Sequence, residues 1–280
     1  MAREKTLEEK IEYVKELRPI DDAFFELLSQ DPAVVEEMLR TILGDPGLVV
    51  NGVESQETIA NVYGRAVRLD CLCTLSNGTS CNIEVQRADD DDHFKRVRVN
   101  EAGVTWKSTE KGASFEETPD VIVVYISEFD ILKGGKTTYH VDKVVRETGQ
   151  IIEDGTANIY VNTKVKDGTD TSELMNLFLQ REVNDPKFPK LSYRVNYLKN
   201  NQEGVRAMCD VIERYAADEV REVTEKYSAI IAQKEATLAQ KDAFIAQKEA
   251  SLAQKEASLA QKDSQIADLM RQLLEAQRKR

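Results

Sequence analysis

An α/β fold with a long helical tail is predicted by three features of this 280-residue chain. Two alternating apolar runs, about 65–75 and 79–87, flank Ser76-Asn77-Gly78 and read as an antiparallel hairpin. Asp120-Val121-Ile122-Val123-Val124-Tyr125-Ile126 is a continuous β-branched run, the pattern of a strand buried on both faces. From about residue 231 the chain repeats Ala-Gln-Lys-Glu-Ala-Thr-Leu and close variants with period seven, the pattern of one long helix.

The remaining elements follow in chain order. Residues 1–18 are highly charged and form a loose or helical lead-in. Between Asp21 and Leu43 the stripe Phe24, Phe25, Leu28, Val34, Val35, Met38, Leu39, Ile42 and Leu43 predicts helix. Asp31-Pro32 breaks it and starts a second helix, and Gly44-Asp45-Pro46-Gly47 stops that one. Leu48 to Val53 reads as a short strand before a polar segment. The hairpin follows. After Asp89–Asp92, the stretch His93 to Lys111 is predicted helical, with Phe94, Val97, Val104 and Trp106 packed inward. Tyr139–Val145 and Ile159–Val161 are expected strands, near Gly134-Gly135 and Asp154-Gly155 turns. Residues 171–226 return to a helical pattern.

The hairpin register can be derived from residue types. Val67, Leu69, Cys71, Cys73 and Leu75 on the first strand, and Cys81, Ile83 and Val85 on the second, are all odd-numbered and form a core face. The other face carries Arg68, Asp70, Thr74, Asn82, Glu84 and Gln86. Opposed residues point to the same side, so odd must pair with odd. A two-residue turn at Asn77-Gly78 breaks that parity. A three-residue loop, with Gly78 in the left-handed region, restores it by pairing Leu75 with Thr79. Counting back, Asp70 faces Glu84, with Gln86 on the same side; a bulge near Asp70 would shift this by one residue. Two hard carboxylates this close suit a divalent cation such as Mg²⁺. The backbone carbonyl of Val85 is a plausible third ligand. The competing reading is an ordinary polar strand face.

Composition narrows the classes. The net charge is −12, which disfavours nonspecific nucleic-acid binding unless basic groups cluster locally. Lys95, Arg96, Arg98, Lys107 and Lys111 are such a cluster near the hairpin; they either track a phosphate backbone or balance the Asp89–Asp92 run. No apolar run reaches the roughly 20 residues that cross a bilayer, so no membrane partner is expected. The first ten residues carry no signal-peptide core, which predicts a cytoplasmic location. The four cysteines lack paired spacing and read as small buried residues.

In the tail, Leu238, Ile245, Leu252, Leu259, Ile266 and Leu273 keep the seven-residue spacing. The second core position of an ordinary heptad is polar, however. Self-association through residues 228–280 competes with a solvated, alanine-rich helix of high intrinsic propensity.

Asp70 followed by Ile83-Glu84-Val85-Gln86 resembles the PD-(D/E)XK nuclease superfamily, and within it the recombination-promoting nuclease/putative transposase family of bacteria. Asp22-Ala23-Phe24-Phe25 is similar to that family's N-terminal Asp-x-x-Phe signature. Lys95-Arg96-Val97-Arg98-Val99-Asn100 and Pro119-Asp120-Val121-Ile122-Val123 are similar to its second helix and following strand. The resemblance implies a restriction-endonuclease-like mixed sheet flanked by helices over 19–215, after the 1–18 lead-in and before a 216–280 heptad-repeat helix. It implies Mg²⁺- or Mn²⁺-dependent DNA cleavage in recombination, mobile-element movement or phage defence. Asp70 and Glu84 would be metal ligands, Gln86 would position water, and Arg87, Lys95, Arg96, Arg98 and Lys107 would contact nucleic acid. Asp22 either adds a carboxylate or caps its helix. Two departures stand out: Leu69-Asp70 replaces the superfamily's Pro-Asp, and Gln86 stands where a lysine is usual. Glutamine supplies dipoles but no positive charge, so a cation has to come from elsewhere, with Lys95 or Arg87 as candidates. The alternative is a catalytically weak or inactive nuclease fold that works as an interaction protein, oligomerising through its tail.

Overall fold

The computed structural model describes residues 6–59 and 67–278. The chain divides into two compact units, Met1–Tyr215 and Ala216–Arg280.

The first unit begins with three helices, α1 (Leu7–Glu16), α2 (Asp22–Leu28) and α3 (Pro32–Leu43). The Asp31-Pro32 break is real: Asp31 accepts from the Ala33 N–H at 3.0 Å, Pro32 occupies the first turn, and Gly44 closes α3 at φ 66°. The strands β1 (Val50–Ile59), β2 (Val67–Leu75) and β3 (Ser80–Gln86) follow, then α4 (His93–Ser108), β4 (Val121–Ser127), β5 (Thr138–Val141) and β6 (Thr156–Asn162). Helices α5 (Asp170–Leu177), α6 (Pro189–Asn200) and α7 (Gln202–Arg278) complete the chain. The first strand runs well past the expected Val53 because the polar segment pairs along β2. Propensity alone does not reveal an edge strand of that kind.

One six-stranded mixed sheet has the order β1-β2-β3-β4-β6-β5. The pairs β3–β4 and β4–β6 are parallel and the others antiparallel. With α4 crossing over between the parallel strands β3 and β4, and helices on both faces, this architecture agrees with a restriction-endonuclease-like fold. The larger core layer packs α2, α3, α5, α6 and the start of α7 against one face, with Phe24, Phe25, Met38, Ile83, Phe178, Leu191 and Met208 at its centre. Each such side chain contributes about 1.5–3 kcal/mol by leaving water. The smaller layer lies on the opposite face and includes Leu72, Val97, Val104, Val123 and Tyr125.

The hairpin register is the one derived above. Cys73 pairs Cys81 and Cys71 pairs Ile83. The loop closes through Leu75 N–H to Thr79 O at 2.9 Å and Gly78 N–H to Leu75 O at 3.0 Å. Gly78 sits at φ 89°, in the left-handed region. One part of the face assignment fails. Val67 and Leu69 pack in the smaller layer, whereas Cys71 and Cys73 pack in the larger. Alternation therefore switches at Asp70, without an inserted residue: Glu57 pairs Leu69 and Ser55 pairs Cys71 in unbroken register. Gln56, between those two, has φ 54°, a conformation that twists the edge strand beside Asp70.

Two further expectations are corrected. Trp106 is 81% exposed and Phe94 is 52% exposed, its ring meeting Tyr160 edge-on at 5.4 Å, because the buried side of α4 is the one that carries His93, Val97, Asn100 and Val104. All four cysteines are buried free thiols, as expected. Among the described residues no helix is long and apolar enough to cross a membrane.

In the second unit α7 continues as one uninterrupted helix. Leu238, Ile245, Leu252, Leu259 and Ile266 are 52–59% exposed along it. The Leu273 side chain lies outside the described residues.

Candidate functional site

The site forms where β2 and β3 stop pairing. Their last bridge joins Cys71 to Ile83. Continued in the same register, Asp70 falls opposite Glu84, but side chains replace the ladder there. Asp70 Oδ2 accepts from the Val85 N–H at 3.0 Å, and Glu84 Oε1 accepts from the Asp70 N–H at 3.3 Å. Each carboxylate thus satisfies a backbone donor of the other strand, which holds both groups at the splay.

The polar face is only partly solvated: Arg68 and Thr74 are exposed, and Asp70 and Gln86 are half-buried. Asn82 is fully buried and Glu84 is 6% exposed, which removes the ordinary exposed-strand reading. Asn82 Nδ2 donates to Glu84 Oε1 at 2.8 Å. Burial pushes the Asp70 carboxyl up from 3.8 to about 7, with the nearby Asp22 charge raising it further and the Val85 N–H, Arg68 and Arg96 opposing. Burial, and then the charge of Asp70, hold Glu84 well above the ordinary carboxyl range. Two neighbouring carboxyls that both resist ionisation need a cation, or a shared proton, to coexist.

Asp70, Glu84, Val85 and Gln86 open onto one cavity of about 190 Å³, also lined by Asp22, Gln56, Arg68, Arg96 and Tyr215. Among the described residues, Asp70 Oδ1 and Glu84 Oε2 accept no hydrogen bond, so one oxygen of each carboxylate is uncommitted. This donor set, hard oxygens on one half-buried and one buried carboxylate, fits Mg²⁺ or Mn²⁺. Among the described residues no three carboxylate, histidine or cysteine side chains converge as a closed cage. A carbonyl, water or substrate oxygen would complete the coordination.

Asp22, from the first turn of α2, reaches the same cavity, and burial raises its carboxyl. It does not cap its helix; Asp21 holds the capping position. Gln86 is half-buried, its Nε2 donating to the Ala88 carbonyl at 3.0 Å.

The basic residues separate. Arg96 lines the cavity. Lys95 and Arg98 are exposed on α4 outside that lining. Lys107 pairs with Glu54 and with Glu57 at 2.9 Å. Arg87 turns to Asp21 at 2.9 Å and Glu128 at 3.2 Å, in a network shared with Arg18. Neither Arg87 nor Lys95 lines the cavity beside Gln86; the guanidinium groups there are Arg68 and Arg96.

Sequence reasoning gave Arg68, Gln56 and Tyr215 no role. Arg68 lies two residues before Asp70, a usable signal. Tyr215, far along the chain, left none.

The family described as PD-(D/E)XK nuclease family transposase matches residues 30–179, just over half of the 280-residue chain. The match contains Asp70 and Glu84 but neither Asp22 nor Tyr215. No curated protein and no solved structure matches.

Proposed function

Because this chain belongs to the PD-(D/E)XK nuclease family transposases, we propose that it is an endonuclease hydrolysing DNA phosphodiester bonds. The observation that carries the reading is the pair of half-buried Asp70 and buried Glu84, each bonded to the other strand's backbone and each with an oxygen that accepts no hydrogen bond among the described residues, at one cavity. Asp70, Glu84 and the Val85 carbonyl would hold Mg²⁺ or Mn²⁺. The ion, when bound, polarises a phosphoryl oxygen and acidifies water.

The chain's own groups do the rest. Gln86 presents a carbonyl oxygen to orient the attacking water while its amide is anchored on Ala88. Asp22 extends the acidic wall of the cavity. Lys95 and Arg98, exposed on α4, meet flanking phosphates and set affinity rather than chemistry. Residues 228–280 pair protomers, bringing two sites to one duplex for double-strand cleavage. A bacterial cytoplasm, with recombination, mobile-element movement or phage defence as the occasion, suits this activity.

A plasmid-nicking assay tests the reading. With Mg²⁺ or Mn²⁺ the wild type nicks, and Asp70→Ala or Glu84→Ala lowers the rate at least about 10³-fold, the worth of several kcal/mol of metal assistance. Cleavage that survives both substitutions sinks the assignment. No cleavage by the wild type favours the interaction-protein alternative, to which the uncharged Gln86 and the net charge of −12 also point.

A further inference from the structure

We propose that Arg68 and Arg96 form a two-guanidinium clamp on the phosphate being cleaved, and that Tyr215 positions Arg68. The proposal rests on the endonuclease reading above and names the groups that bear its developing charge. Phosphoryl transfer spreads negative charge over the nonbridging oxygens, and cations fixed in advance around them stabilise the transition state. Gln86 carries no charge, and Arg87 is already paired with Asp21 and Glu128. Arg68 and Arg96 are the guanidinium groups that share the cavity with Asp70 and Glu84.

Their hydrogen bonding leaves capacity for an anion. Arg96 reaches Asp92 only at 3.4 Å, and its Nε is buried with no partner among the described residues. A buried, unsatisfied N–H on a cation is costly, and a phosphate oxygen would satisfy it. Arg68 is held from two sides. Its Nε donates to Gln56 Oε1, and its guanidinium lies 5.5 Å from the centre of the Tyr215 ring. Both Nη atoms of Arg68 are left without a partner among the described residues, the fork that meets a phosphate bidentately. The positive-φ Gln56 on the edge strand and Tyr215 near the start of α7 therefore aim one arginine. Arg96 reaches the same cavity from α4, whose Val97 and Val104 pack in the smaller layer, whereas Tyr215 packs against the larger.

Single-turnover cleavage of a short labelled DNA duplex with Mn²⁺ tests the clamp. Arg68→Gln and Arg96→Gln each lower the rate about 10²–10³-fold, and Arg68→Lys recovers part of it by restoring charge without the fork. Tyr215→Phe keeps the ring and cleaves within about threefold of wild type, whereas Tyr215→Ala lowers the maximal single-turnover rate roughly tenfold with the half-saturating protein concentration unchanged. Thermal unfolding confirms that each variant is folded, and the Lys and Phe substitutions carry the test if the others are not. Arg68→Gln and Arg96→Gln proteins that cleave within about threefold of wild type overturn the clamp while the endonuclease reading stands. A Tyr215→Phe loss equal to that of Tyr215→Ala overturns the stacking role. If the wild type itself does not cleave, the endonuclease reading fails, and affinity for the same duplex in Ca²⁺ decides the clamp. A tenfold weakening in both arginine variants supports it, and unchanged affinity overturns it.

Discussion

The end of the β2–β3 hairpin and the tail beyond Ala216 violate the usual inside–outside rule in opposite directions. At the hairpin, carboxylates are withdrawn from water: Glu84 is 6% exposed, and half-buried Asp70 has its carboxyl raised to about 7. On the tail, large apolar side chains face water, Leu252 at 59% for example. The hairpin tolerates the cost because a deep apolar layer around Ile83 and Phe25 holds it in place. Such a cost persists where function needs it. The tail carries no such internal cost, since an alanine-rich helix forms from its own propensity. What it lacks is a covering surface. The two regions are therefore incomplete in different currencies, one short of positive charge and the other of apolar contact.

The largest effect that separates them is on stability. Ile83→Ala, at a fully buried position, costs about 2–5 kcal/mol. Leu252→Ala changes unfolding of the first unit by less than about 0.5 kcal/mol. Urea denaturation followed by tryptophan and circular dichroism measures both. Equal losses would abolish the contrast.

An intermediate effect is electrostatic. A carboxyl raised in the folded state binds protons there that the unfolded chain releases. For Asp70, raised from 3.8 to about 7, folding is favoured at the acid end of that window and weakened as pH climbs through it. The metal-free protein should melt several degrees lower at about pH 8 than at about pH 5.5, and Mg²⁺ should raise the melting point more at the higher pH. Glu84→Gln removes one of the repelling charges and flattens the dependence. A metal-free melting point that rises with pH across this range would show that the pair is not strained.

The smallest effect on folding, and the sharpest on assembly, comes from the tail. Deleting residues 228–280 leaves the melting point of the first unit within a degree or two. By sedimentation the mass per particle drops to that of one chain. An unchanged number of chains per particle would leave the exposed leucines as a solvated face.

Much of the chemistry was legible in the residues. Parity and Gly78 fixed the hairpin register, and so set Asp70 against Glu84, because turn geometry and the two-residue period act over a few bonds. Asp31-Pro32 and Gly44 marked helix ends for the same local reason. The switch of Val67 and Leu69 to the other layer was not visible, since it follows from the twist of the edge strand β1, at Gln56, against β2. Nor was the exposure of Trp106 and Phe94, which depends on how far α4 overlaps the sheet.

By itself, then, the sequence determined the α/β order, the facing carboxylates and the seven-residue rhythm of the tail. Each is a property of neighbours in the chain. Only the tertiary structure decided that Glu84 is buried and Asp70 half-buried, and that Asp22, Gln56, Arg68, Arg96 and Tyr215 line the same cavity. Those groups come from three helices and two strands, and packing across the sheet, rather than any local pattern, brings them to one cavity.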